Sequence, residues 1–464
     1  MAMIMLFICR AAEVLGQCGG GTVVPPPDPS VPKFGGGIGV SGEWLACTSQ
    51  YRSDGVLGPA IFMYRRDGNA WAFDSQLLSV EPGSPSQLDR LAISGGIVAA
   101  GDTNASSELG DRHGAVETFE LSGNTWQSAA RLVPENAVDN DYFGYAVAID
   151  GQTLVASSLG ARRHGMTGAG AAYVFEKIDG QWANRGELEP PVVQYFGQFG
   201  NAVAISGDTA VVSSSMFDGP AGLNQGAVYV FVRVDGLWSL QATLYDPVPA
   251  ASENFGLKVA LHGDVLVVGS REDRVDGLRR GSAWIFERTG SSWNLTATLE
   301  PVGGAVHSEF GYSVATDGHR VVVGELHPGR DMSTIQGFAH VYIKSGTGWW
   351  HEVRLMGAAL PRGVEFGRVV NIEGDGAFVC TGGFNPATPS VFAFARGEMG
   401  WDVAPPLQQD LNDDLAVGLP DLAVIIDRWG TTVSPGDWPD VNGDGTIGLG
   451  DVASVVGAWG VQCE

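Results

Sequence analysis

Short apolar runs separated by glycine-rich turns fill most of the chain, and their spacing is that of strands. From Ala146 onward, AVAI, TLVAS, AAYVFE and QWANRGEL are β-branched or aromatic runs parted by Asp-Gly pairs or by one long Gly-rich loop. Asp150-Gly151 and Asp179-Gly180 suit tight hairpins, because glycine supplies the positive φ such turns require. The pattern predicts four strands and no helix, since apolar spacing of three and four is missing.

This four-strand unit repeats. A phrase shaped F-G-x-x-V-A-I-x-G occurs as FGGGIGVSG at Phe34, FGYAVAIDG at Phe143, FGNAVAISG at Phe199 and FGLKVALHG at Phe255. It returns as FGYSVATDG at Phe310 and FGRVVNIEG at Phe366, with a degenerate copy, QLDRLAISG, at Gln87. The closing glycines are Gly42, Gly95, Gly151, Gly207, Gly263, Gly318 and Gly374, spaced 53, 56, 56, 56, 55 and 56 residues apart. A tryptophan follows each one: Trp71, Trp126, Trp182, Trp238, Trp293, Trp350 and Trp401. A fixed period of this kind marks stacked units that share a core. Seven repeats of four strands predict an all-β fold, a seven-bladed β-propeller spanning residues 34–405.

The third strands, GAAYVFEKIDGQW at Gly170, GAVYVFVRVDGLW at Gly226 and GSAWIFERTGSSW at Gly281, complete a pattern that resembles the FG-GAP repeats of integrin-α-like β-propellers. The resemblance implies an extracellular binding or structural module rather than an enzyme. Many members carry a D-x-D-x-D-G calcium loop in the blade. The corresponding segments here, IDGQT, ISGDT and LHGDV, lack three spaced carboxylates.

Blade topology predicts short turns after strands one and three on one face and long loops after strands two and four on the other. Arg162, Arg163, Arg271, Arg274, Arg279 and Arg280 fall in those long loops. Forked guanidinium donors there suit an anionic or hydroxyl-rich partner, a protein or a glycan. The competing expectation is a set of solvated loops paired with Asp273 and Asp276.

After Pro405 the composition changes. DLNDDLAVGLPD from Asp410 and DVNGDGTIGLGD from Asp440 are twelve-residue loops with oxygen-bearing side chains at positions 1, 3, 5 and 12, the wrapping of hard oxygens that calcium demands. The ligands are Asp440, Asn442, Asp444 and Asp451 with the Thr446 carbonyl in one loop, and Asp410, Asn412, Asp414 and Asp421 in the other. Gly445 supplies the sharp turn in the second loop; Leu415 stands in its place in the first, which is expected to bind more weakly. Leu422, Ile425, Ile426 and Trp429, like Val452, Val455, Val456 and Trp459, form one helical stripe after each loop. This loop-helix duplication over residues 408–463 resembles a type I dockerin. The resemblance implies two bound Ca2+ ions, docking to a cohesin-like or cell-surface protein outside the cytoplasm, and a link to polysaccharide utilisation.

The chain has 464 residues, with 27 Lys+Arg against 52 Asp+Glu and a net charge of −25. That acidity argues against nucleic acid as a partner, while 44% hydrophobic residues exclude a disordered acidic polymer. No apolar run approaches the roughly 20 residues of a spanning helix. Residues 1–18 open with MAMIMLFIC before the cation Arg10. They read either as an atypical signal segment or as a plain apolar end. Residues 19–33 read as a Pro/Gly linker. Cys47 and Cys380 fall in the second strands of the first and seventh blades, which makes them a candidate ring-closing disulfide, and Cys18 and Cys463 flank the folded region.

Catalytic signatures are missing. There is no G-x-S-x-G elbow, H-E-x-x-H helix or P-loop, and the eight histidines are scattered without metal-ligand spacing. The competing functional class is a propeller glycoside hydrolase or polysaccharide lyase, with paired carboxylates converging on the central channel.

Overall fold

The computed structural model describes residues 22–24, 34–51, 57–68, 70–79, 90–106, 111–248, 253–275, 277–301, 306–327, 337–346, 348–357, 364–383 and 391–395. These residues form seven four-stranded antiparallel blades. Blade three is representative: Phe143–Asp150, Thr153–Ser158, Ala171–Ile178 and Gln181–Leu188 lie side by side in chain order. The first strand of every blade packs against the first strand of the next, and Ile38–Ser41 of blade one meets Val364–Glu373 of blade seven, which closes the ring.

Burial explains why each strand reads as it does. Thr153–Ser158, Thr209–Ser214 and Val265–Ser270, the second strands of blades three to five, are buried throughout. Each is sandwiched between adjacent blades, so its sequence is a continuous small or β-branched run. The fourth strands are outermost and mostly exposed or half-buried, as in Thr125–Leu132, where Trp126 and Leu132 alone are buried. Core clusters span blade junctions: Val155, Val174 and Leu188 of blade three pack with Phe199, Val212 and Tyr229 of blade four. The Phe of each F-G phrase is the common anchor. Phe34, Phe143, Phe199, Phe255, Phe310 and Phe366 are all buried, each removing roughly 1.5–3 kcal/mol of apolar surface cost.

The glycine beside it is equally constrained. Gly311 has φ +81, and a Cβ there would stand 2.2 Å from the Ser282 carbonyl oxygen. The F-G step interrupts the ladder: register shifts between Phe143 and Val147, and again between Phe199 and Val203. Turn chemistry follows expectation, with Asp179 at φ 49 and Gly180 at φ 79.

Two expectations are corrected. Blade seven does not take its fourth strand from chain following the third; its order is Val364–Glu373, Gly376–Gly383, Val391–Ala395 and then Thr22–Val24. Thr22–Val24, inside the segment read as a linker, pairs antiparallel with Val391, Phe392 and Ala393. The prolines that signal a linker begin just after this strand. The candidate disulfide is also absent: Cys47 and Cys380 are free thiols buried in one cluster at the junction of blades one and seven. Burial pushes both thiols well up, with Cys380 adding to the effect at Cys47.

Residues 1–18, Cys463, Trp401 and the whole 408–463 unit lie outside the described residues. Among the described residues no helix is long and apolar enough to cross a membrane.

Candidate functional site

The long-loop arginines are mostly engaged within the fold. Arg163 pairs with Glu187 and Tyr173, and Arg162 donates to Thr167 Oγ1 at 3.1 Å. Arg279 pairs with Glu272 at 3.0 Å. Among the described residues Arg274 reaches the Gly277 carbonyl, at 3.5 Å, in a small hairpin of Arg274–Val275 with Leu278–Arg279. The partners among the described residues are therefore Glu187, Glu272 and Glu309 rather than Asp273, and Asp276 lies outside those residues. Asp273 is buried and accepts from the Arg274 N–H.

A different set of cations meets at the ring's axis. Arg90 opens the first strand of blade two, Lys258 opens that of blade five, and Arg368 lies in that of blade seven. Because first strands ring the axis, these side chains converge at its long-loop end, where Arg271 joins them from a blade-five loop. Burial lowers the Lys258 ammonium to about 7, and the like charges of Arg90, Arg368 and Arg271 add to the shift. A lysine set among arginines in a partly enclosed mouth is an arrangement that favours an added negative charge.

Aromatic and polar side chains line the same end. The Arg90 guanidinium sits 4.7 Å from the Tyr145 ring centroid, while Arg271 and Arg368 lie 5.5 and 5.7 Å from that of Tyr312. Asn201 Nδ2 donates to the Leu257 carbonyl at 2.9 Å. Among the described residues three carboxylates stand beside these arginines: Glu272 and Glu309 lie 3.6 and 3.9 Å from Arg271, and Glu365 pairs with Arg368.

A second polar cluster is internal to blade six. His340 Nε2 lies 3.0 Å from Glu325 Oε2, and its Nδ1 lies 3.2 Å from His351 Nε2. Burial raises Glu325 to about 7 and lowers His351 to about 3, with His340 as the next contributor at His351. His340 occupies the third-strand place held by Tyr173 and Tyr229 in blades three and four. The cluster is thus a polar version of a core position.

Sequence reading missed the axial cations. Lys258 stands in the quoted phrase FGLKVALHG, but nothing in that phrase says which strand faces the axis. The signal available was a lone lysine or arginine in an otherwise apolar first strand.

The FG-GAP repeat family model matches residues 126–175, 182–231, 238–286 and 293–342. Each match begins at a fourth-strand tryptophan and ends in the third strand of the following blade, so the family repeat is offset from the structural blade. The chain is a seven-bladed β-propeller protein, and those four stretches of it match the FG-GAP repeat. No curated protein matches it. Among solved structures, it is similar to the β-propeller domain of the Trilobed protease from Pyrococcus furiosus, at 10% identity and a TM-score of 0.44, covering 79% of this chain and 96% of that one. The periplasmic gluconolactonase PpgL of Pseudomonas aeruginosa gives 17% identity and a TM-score of 0.42, covering 70% of this chain and 86% of that one. Sqt1 from Chaetomium thermophilum gives 13% identity and a TM-score of 0.45, covering 81% and 86% respectively. Likeness at this level extends to neither ligand nor reaction.

Proposed function

We propose that this is a non-catalytic extracellular or cell-surface binding protein. The axial mouth on its long-loop face takes an anionic partner, a protein or glycan carrying carboxylate or sulfate groups. The observation that carries this reading is the convergence of Arg90, Lys258, Arg271 and Arg368 in a chain of net charge −25. Such a local field concentrates anions despite the overall charge. The aromatic rings of Tyr145 and Tyr312 add flat apolar surface beside the cations.

In this reading the 408–463 unit is the attachment device. Two Ca2+ ions, held by Asp410, Asn412, Asp414 and Asp421 and by Asp440, Asn442, Asp444, Thr446 and Asp451, order a dockerin-like module that plugs into a cohesin-like or cell-surface protein. The spacing of those oxygens supports it. The glycosidase or lyase alternative needs two carboxylates of different protonation state. Among the described residues, Glu272, Glu309 and Glu365 at the mouth are each engaged by an arginine rather than left free as a catalytic pair.

The test is glycan and protein binding by the full chain against sulfated, uronic-acid and neutral polysaccharides. Binding confined to the anionic members, and lost in R90A/K258A/R368A, supports the axial site. An undiminished triple variant sinks it. Capture of envelope proteins in calcium and in chelator, with D410A/D440A as control, tests the tail separately.

A further inference from the structure

Blade five departs from its neighbours at one buried position. Three residues beyond the second strand, the long loop folds back, and that residue's N–H donates to the carbonyl of the strand's last residue. Its own carbonyl accepts from the glycine before the third strand. The residue is Ala105 in blade two, Ala161 in blade three, Phe217 in blade four and Asp273 in blade five, with the same two backbone bonds in each. All four are buried. The fold therefore asks only for a methyl or phenyl group here, and a carboxylate is not required by the backbone. Burying one is costly unless something compensates it.

Two further carboxylates meet it. Asp246 and Glu253, from the segment joining blades four and five, are 3% and 2% exposed. One oxygen from each of Asp246, Glu253 and Asp273 lies within 4.8 Å of the others. Asp246 Oδ1 accepts from the Val248 N–H at 2.7 Å. Asp246 Oδ2 is buried and accepts no hydrogen bond among the described residues, which leaves a buried acceptor to be satisfied by a ligand.

We propose that Asp246, Glu253 and Asp273 bind one divalent cation of the calcium class. The donor set is three hard carboxylate oxygens with no nitrogen or sulfur, which suits calcium and disfavours zinc or copper. The site is separate from the turns after the first strands (IDGQT, ISGDT, LHGDV), which lie on the opposite face. It is also separate from the 408–463 unit and does not rest on the reading of that unit. The ion ties the segment between blades four and five to the loop that carries Arg271 and the Arg274–Arg279 hairpin, and so fixes one wall of the axial mouth.

The test uses the full chain carrying D410A/D440A, so that the tail loops do not contribute, titrated calorimetrically with calcium chloride. One equivalent of calcium is expected to remain, and the thermal midpoint of the propeller to rise in calcium over chelator. D246N, which keeps the side chain's shape, and D273A, which copies blades two and three, should each lower the affinity at least ~10-fold. No calcium heat in the tail-silenced chain, or a titration unchanged by both substitutions, overturns the site. Equal stoichiometry with and without D410A/D440A would instead count against the tail and leave this site standing.

Discussion

The Gly42 N–H donates to Glu373 Oε1 at 2.8 Å, joining residues 331 positions apart. The same bond recurs between blades closer in sequence. Gly95 donates to Ser41, Gly151 to Ser94, Gly207 to Asp150 and Gly263 to Ser206. In every case the residue before one blade's closing glycine accepts from the closing glycine of the next. The seam where the ring closes is thus built as an ordinary blade junction.

Glu373→Ala should therefore behave like Ser94→Ala, an interior equivalent. Each loses one exposed hydrogen bond, so a cost of about 0.5–1 kcal/mol is expected. Urea unfolding of both variants checks this. A much larger loss for Glu373→Ala would show that the seam is held by that bond alone.

The N-terminal strand makes a stronger demand. Deleting residues 1–24 removes Thr22–Val24 from the outer edge of blade seven and leaves Val391–Ala395 as an unpaired edge. Val24 and Val391 both belong to the cluster shared with Phe34 and Cys47, so their cover is lost as well. The truncated chain should unfold at a lower temperature, and its exposed edge should promote association. Differential scanning calorimetry and light scattering measure the two effects. An unchanged midpoint would show that the strand contributes nothing to closure.

Gly311→Ala should be among the most damaging single-methyl changes. The left-handed backbone costs roughly 1–2 kcal/mol for any residue with a Cβ, and the 2.2 Å approach to the Ser282 carbonyl forces a shift between blades five and six. Gly263→Ala is the control, since φ there is +56 but nothing lies within 4 Å. Thermal midpoints of the pair separate the clash from the backbone term.

These same glycines show how much was legible in the chain. The F-G phrase announced the period because six of its seven copies place a buried ring and a left-handed glycine at a blade junction, and the degenerate copy at Gln87 keeps the spacing. Ligand geometry had no such period to reveal it. Asp273 looked like a loop acid beside arginines, and only alignment with Ala105, Ala161 and Phe217 in three dimensions shows it standing in an apolar slot. Thr22–Val24 was hidden for another reason: three residues are too short for a pattern, and their partner lies at the far end of the propeller.

Glu325 gives a pH signature for blade six. Its folded value of about 7 exceeds its ordinary value of 4.5, with burial as the main cause. Its favourable contribution is therefore full below about pH 4.5 and lost as pH rises through 7. Glu325→Gln, which keeps the shape and a hydrogen-bonding group beside His340, should flatten that part of the stability profile. A profile identical to the parent's would show that this carboxyl does not titrate there.

Lys258 should set the pH dependence of anion binding. Its folded value of about 7 lies below the ordinary 10.5, so the folded state disfavours the charged form, and the resulting cost is present below about 7 and relieved as pH rises towards 10.5. An anion at the axial mouth works in the opposite sense, because it stabilises the ammonium. The guanidinium groups of Arg90, Arg271 and Arg368 surround it, and Glu272, Glu309 and Glu365 stand beside Arg271 and Arg368 as the facing acids. Affinity for a sulfated or uronic-acid glycan should thus fall roughly fivefold as pH rises from 6 to 9, corresponding to about 1 kcal/mol of solvent-screened attraction. Binding near pH 8 should also take up a fraction of a proton, seen as a calorimetric enthalpy that varies with buffer ionisation. Lys258→Met should bind more weakly at pH 6 and lose both the slope and the proton uptake. If the variant keeps the slope, another group titrates at the mouth and Lys258 is not the one that meets the anion.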